Sequence, residues 1–436
     1  MPTYTRLQVG LFYTALICEE RMVEDILKIV QLIDQDNFGV FLEKFNSVLL
    51  CFHRVKGQYF ERLVQVMSFL FDCVGEKISA TITLFLRNAY FQENSPEMLG
   101  YINFLLDFLI QKKERLSEKL EDYWVRIFYK LIRMMSVTLL YKELSDWNGK
   151  IILLLRYAWD KHRRTILAGG RELFRAMQEV IKVPELNFLF SELRKEDESG
   201  GGPYYRKMLY NMYKEKDTLP GGLIIMQIPP FIEQYTIFVL NTSSKQNFNK
   251  HLGWMLDKLD IGKSTISEYV LVDFVRYILI CTDNVHSGHS GEKVQRWYVL
   301  GWILMFLKSD VFKMLAKQAL FIDWLYYKGE SGWFKVFEPV WQLIINSITK
   351  YKELSEEMLD FLLLFSKEYD PTDNEGEQNV SRVFELFKHR NVTTLENLMD
   401  SEHLTPGLKY RLEGFINAHQ GNASGQEKSL DRKSVV

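Results

Sequence analysis

Three clusters in this chain have residue types that could do chemistry. Cys281, His286 and His289 fall within nine residues of a Gly/Ser-rich stretch and offer three ligands to a metal. A structural zinc needs four, and no fourth stands nearby, so a solvated loop is the competing and favoured reading. Paired carboxylates occur at Glu19-Glu20 and Glu356-Glu357. Such pairs can divide acid and base roles, but at helix starts they more simply complement the helix dipole. The third cluster, Lys161-His162-Arg163-Arg164, follows Trp159. Cations beside aromatic rings can hold phosphates and stack on bases, and Lys161, Arg163 and Arg164 are candidate contacts for nucleic acid or a partner. An ordinary basic helix end is the simpler reading. Arg206 and Lys207, after Tyr204-Tyr205, form a second candidate of the same kind.

The motifs that would announce catalysis are absent. Neither GxxxxGK[ST] nor GxGxxG, HExxH or GxSxG occurs, and none of the eight histidines has triad spacing. No enzyme and no cofactor is expected. Lys+Arg number 54 against 56 Asp+Glu, a net charge of −2. That excludes a strong overall positive field for nucleic acid, so any such contact is local or delegated to a partner. The four cysteines form no CxxC pair, which suits a reducing compartment. The first twenty residues lack the basic start, apolar core and cleavage site of a signal peptide. The longest apolar run, Trp297 to Leu307, is too short to cross a bilayer, and no membrane is expected as a partner.

The elements that must carry these residues read as helices throughout. Leu63, Val66, Met67, Leu70, Phe71 and Val74 recur at helical spacing, and Leu173, Phe174, Met177, Val180 and Ile181 do so before Pro184. The stretch 140–169 reads as two helices broken near Asn148-Gly149, and 294–307 is apolar nearly all round, hence interior. Only 222–231 tempts as strand. About fifteen helix-length segments with short breaks predict an all-α, HEAT-like helical-repeat solenoid of antiparallel helix pairs. The predicted order is a first helical half over 1–193, a hinge loop over 194–204, a second half over 205–418 and a disordered tail over 419–436. Polar connections are expected at 241–249, 281–293 and 368–381.

Particular residues also resemble a known family. Gly170, Arg171, Leu173 and Arg175, then Pro184-Glu185, resemble the "GRDL-R" and "IPEF" segments of the Integrator complex subunit 3 family, whose members also serve in the SOSS complex. Asp273 to Ile278, with Arg276 and Tyr277, then Cys281, His286, Arg296-Trp297 and Gly301-Trp302, resemble its "RYIC…H…RW…GWLL" run. Ala319 to Leu325, containing Asp323 and Trp324, and Glu338-Pro339 follow its "ALFYDWL" and "EPAI". The likeness runs from about Leu7 to about Phe415 and corresponds to the family's amino-terminal half.

The resemblance implies a nuclear scaffold, with the cytoplasm also open. It would hold an OB-fold single-stranded-DNA-binding protein and a small SOSS subunit in the DNA-damage response. It would also join other Integrator subunits in processing RNA polymerase II transcripts such as small nuclear RNAs. The matching residues Gly170, Arg171, Pro184, Arg276, Tyr277, Arg296, Trp297, Gly301, Trp302, Asp323, Trp324 and Pro339 are expected in the core. Two alternatives stay open: direct single-stranded nucleic-acid binding through a basic patch, and an unrelated adaptor solenoid.

Overall fold

A computed structural model describes residues 2–74, 76–90, 96–181, 183–194, 221–262, 266–282, 294–329, 332–368, 375–390, 392, 398–400 and 402–419. Among these the fold is all-α, with no strand. The helices are α1 (Pro2–Ile17), α2 (Glu20–Ile33), α3 (Gly39–Leu50), α4 (Phe60–Cys73), α5 (Ser79–Arg87), α6 (Pro96–Lys119), α7 (Trp124–Thr138), α8 (Asn148–Leu167), α9 (Gly170–Glu179) and α10 (Asn187–Arg194). They continue as α11 (Gly221–Ile224), α12 (Pro230–Thr242), α13 (Lys245–Lys258), α14 (Tyr269–Ile280), α15 (Arg296–Phe306), α16 (Asp310–Phe321), α17 (Phe334–Ser347), α18 (Lys352–Glu368), α19 (Glu375–His389) and α20 (Pro406–His419).

Two compact units divide the chain. The first holds α1–α13 and α14 as far as Tyr277; the second holds the end of α14 and α15–α20. The division therefore falls inside α14, not at the expected hinge of 194–204, because α12 folds back onto α3 and α11 onto α9. In the first unit α1 meets α2 and α3, α2 meets α4, α4 meets α6, and α7 meets α8 and α9. In the second, α17 meets α15 and α18, and α18 meets α16, α19 and α20. Most of these helices meet neighbours one and two places along, the packing logic of stacked helix pairs.

Local chemistry explains where several elements start and stop. In α4 the stripe Leu63, Val66, Met67, Leu70 and Phe71 is buried. Pro230 opens α12 at a position where the missing N–H costs nothing. Asn88, just after α5, donates to the Leu49 carbonyl at 2.9 Å and so ties the end of α5 to the end of α3. Pro339 sits inside α17, where it removes the bond to the Lys335 carbonyl four residues back. Arg296 replaces that bond: its NH1 donates to Leu279 O at 3.3 Å and its NH2 to Lys335 O at 2.7 Å.

Several sequence expectations differ from the structure. The strand-like 222–231 stretch forms α11 and a 3-10 turn, Ile225–Gln227, before the prolines. The polar stretch 241–249 is mostly helix, since α13 starts at Lys245, and α19 starts inside the acidic 368–381 stretch. The expected break near Asn148-Gly149 is where a 3-10 helix, Lys142–Trp147, gives way to α8, and α8 has a second, unexpected break at His162 (φ −124°, ψ 24°). The 294–307 stretch is not wholly interior: Met305 is 56% exposed and Trp302 half-buried. Among the expected core positions, Pro184 is exposed because it opens a 3-10 turn, and Gly170, Arg296 and Trp297 are only part-buried. Arg171, Arg276, Tyr277, Gly301, Asp323, Trp324 and Pro339 are buried. The Arg206-Lys207 pair, His286, His289, residues 195–204 and the tail from 420 lie outside the described residues.

Candidate functional site

Within unit one, the basic cluster on α8 comes apart when folded. Lys161 and Arg164 are exposed, but Arg163 pairs with Glu192 of α10 at 2.9 Å. Trp159 is 2% exposed and packs on Phe128, so its ring is not available to stack on a base. His162 is buried and lies parallel to Trp124, with ring centroids 5.4 Å apart. Its Nε2 meets Ser117 Oγ at 2.7 Å, and its Nδ1 stands 3.7 Å from Glu121. Serine, histidine and glutamate are the members of a nucleophilic triad, yet the geometry is that of a packed helix break. The Ser117 hydroxyl is also bound to the Lys113 carbonyl and the Tyr157 hydroxyl, and the Nδ1–Glu121 gap is too long for a hydrogen bond. Burial pulls the His162 pKa below its ordinary value, with Glu121 opposing, so the ring is mainly neutral near pH 7.

The carboxylate pairs are occupied with structure. Glu19 pairs with Arg21 at 2.7 Å and Glu20 accepts from Gln65. Glu356 accepts the Thr405 backbone N–H at 2.7 Å, and Glu357 pairs with Lys317 at 2.8 Å.

A buried ionic network joins α7, α9 and α14 in the first unit. Arg133 binds Glu179, and its NH2 donates to Asp273 Oδ2 at 3.0 Å. Arg175 reaches Glu172 at 3.3 Å, Glu179 at 3.1 Å and Asp273 at 3.6 Å, and Arg276 binds Glu172. Three guanidinium groups thus face three carboxylates, and every side chain in the set is at most 3% exposed. Burial opposes charge on Arg133 and Arg175, but the carboxylates more than offset it and both pKa values rise. One turn back on α7, Lys130 is buried, and among the described residues its hydrogen-bond partner is the Gln227 side-chain oxygen, 3.3 Å away. Burial brings its pKa down to about 7, with Asp273 opposing and Arg133 and Arg87 reinforcing the fall. These groups fix three helices against one another and leave no reacting atom exposed.

A third feature was missed in the sequence reading. On α12, Phe231, Tyr235 and Phe238 stand at i, i+4 and i+7; on α13, Lys250, His251, Trp254 and Lys258 share one face. The rings run in a connected row. Phe238 lies 6.0 Å from both Tyr235 and His251, Tyr235 is 4.2 Å from Trp254, and Trp254 is 6.4 Å from His53. Phe231 is buried beneath, 4.4 Å from His53. Phe238 is 50% exposed, whereas Tyr235, His251, Trp254 and His53 are part-buried. The signal was available in FIEQYTIF and KHLGWMLDK, but treating 241–249 as a loop hid the second stripe.

Comparison with known proteins bears on what this scaffold is. The sequence family described as Integrator complex subunit 3 N-terminal matches residues 2–413. The chain belongs to this Integrator subunit 3 family. An Integrator complex subunit 3 homolog of Dictyostelium discoideum is 19% identical over 435 residues, covering 96% of this chain and 28% of its own length. The Integrator complex subunit 3 proteins of Homo sapiens and Mus musculus are each 21% identical, over 94% of this chain and 39% of their own length. The chain thus spans well under half the length of these Integrator relatives. Their names are those of complex subunits.

Proposed function

We propose that this chain is a non-catalytic scaffold subunit of an Integrator- and SOSS-like assembly. It docks an OB-fold single-stranded-DNA-binding protein together with a small third subunit. It acts in the nucleus, in the DNA-damage response and in processing RNA polymerase II transcripts, including small nuclear RNA 3′ ends. Other Integrator subunits are its further partners. The observation that carries this reading is the family match over 2–413. The fold supports it physically: stacked helices offer long surfaces to other macromolecules, and the charged groups at the centre of the first unit are spent on one another.

The test is affinity purification of the tagged chain from cells that express it, with identification of the proteins that accompany it. The reading expects Integrator subunits and an OB-fold protein, and direct binding of the purified OB-fold protein at micromolar concentration. Absence of both from the purified material would overturn it.

A further inference from the structure

We propose that the α12–α13 face of the first unit binds single-stranded nucleic acid directly, stacking bases on a row of aromatic rings while flanking cations hold the phosphates. This goes beyond the scaffold reading and does not depend on it.

Three observations carry the inference. The first is the row itself. Phe238, His251, Tyr235, Trp254 and His53 form a chain of rings with successive centroids 4.2 to 6.4 Å apart. Rings in a core are covered on all sides. Here Phe238 is 50% exposed and the four further rings are part-buried. Unpaired bases all present a flat π-face, so such a platform accepts them without regard to sequence.

The second is the placing of the cations. Lys250 and Lys258 stand four residues either side of Trp254, on the same face of α13, and Arg54 adjoins His53. Besides burial, the positive charges of Arg54 and Lys258 depress the His53 pKa, so both act on the far end of the ring row. Arg54 and Lys250 are exposed. The acids on the two helices are Glu233, which is bound to Arg87, and Asp257, beside Lys258. Glu97 and Asp257 line the same hollow as His53 and Lys258, so the positive charge of the face is concentrated at the exposed Arg54 and Lys250, a local patch in a chain whose net charge is −2.

The third is the hydrogen-bonding character of the rim. Gln234 and Asn241 of α12 and Gln246 and Asn247 of α13 are exposed on the two helices that carry the rings. Amides both donate and accept, which suits base edges and sugars of any sequence. By contrast, the α8 cluster has its tryptophan buried and one arginine already paired.

The experiment is fluorescence anisotropy of a labelled oligo(dT) of about 20 nucleotides, titrated with the purified chain at low salt. The expected result is saturable micromolar binding that weakens steeply with salt and is stronger than binding to a duplex of equal length. Phe238→Ala and Tyr235→Ala should each weaken it about tenfold. The triple change of Arg54, Lys250 and Lys258 to Ala should weaken it and flatten the salt slope. Changing Lys161, Arg163 and Arg164 to Ala should leave it intact. Lys250→Glu, at a fully surface position, keeps the test valid if an aromatic variant fails to fold. No saturable binding, equal affinity for duplex, or loss confined to the α8 variant would overturn the inference. So would a Phe238→Ala chain that binds the oligonucleotide normally but no longer binds the OB-fold protein, which would make this face a protein interface.

Discussion

Each carboxylate of the buried network is shared by two arginines, and Asp273 of α14 is shared by Arg133 and Arg175. Removing it strands positive charge where water cannot reach. Asp273→Ala is therefore expected to cost about 3–5 kcal/mol of unfolding free energy, measured by chemical denaturation. A loss below about 1 kcal/mol would show that the network is solvated in practice. Lys130 gives a test with a sign. Its folded pKa of about 7 lies below the ordinary lysine value of 10.5. Between these values the unfolded chain binds more protons than the folded one, so stability rises with pH across that window. Below about pH 7 the lysine is charged in both states, and the full cost of burying it is present. Lys130→Met is expected to stabilise the chain near pH 7 and to flatten its stability between pH 7 and 10, read from melting temperatures. An unchanged pH slope would refute the assignment. Neither role was legible in the sequence. The apolar stripe of α9, through Leu173 and Met177, marks one buried face, so Glu172, Arg175 and Glu179 read as the solvent side. A helix held between neighbours buries both sides, and periodicity cannot show that.

Among the elements, α17 contains a proline that most helices would not accept. Arg296 supplies the donor that Pro339 lacks, and the two positions should be energetically coupled. Arg296→Ala is expected to destabilise by about 0.5–1.5 kcal/mol, since the Lys335 carbonyl is exposed and water takes up part of the lost bond. In a Pro339→Ala background the loss should be smaller by about 1 kcal/mol, because the helix then satisfies that carbonyl itself. Additive losses in this cycle would remove the coupling. The entry to α19 offers a second test. A Cβ on Gly376 would sit 2.7 Å from the Ser366 carbonyl oxygen, which belongs to the backbone of α18 and cannot swing away. Gly376→Ala should therefore lower the melting temperature by several degrees despite alanine's better helix propensity. The helices themselves were readable from apolar spacing. What failed was polarity taken as a sign of loop: Gln246, Asn247 and Asn249 are polar because one side of the first turns of α13 meets water, with Phe248 buried on the other.

For the whole molecule, all-α architecture and family membership were both accessible from residue types. Leucine- and phenylalanine-rich stripes gave the first, and spaced pairs such as Arg296-Trp297 and Gly301-Trp302 gave the second. The boundary between units was not accessible, because a glycine-rich stretch shows where a chain can bend and not which helices return to pack on earlier ones. The return of α12 onto α3 is a contact across nearly two hundred residues, which local patterns do not encode. It also places the aromatic row, since His53 follows α3 while its companions lie on α12 and α13.

The proline of α17 and the arginine that serves it also constrain how descendants of this sequence can diverge. A lineage that first trades the proline for alanine keeps a working helix and can later give up the arginine cheaply. A lineage that loses the arginine first must pass through a weakened protein, so drift at this pair has a permitted direction.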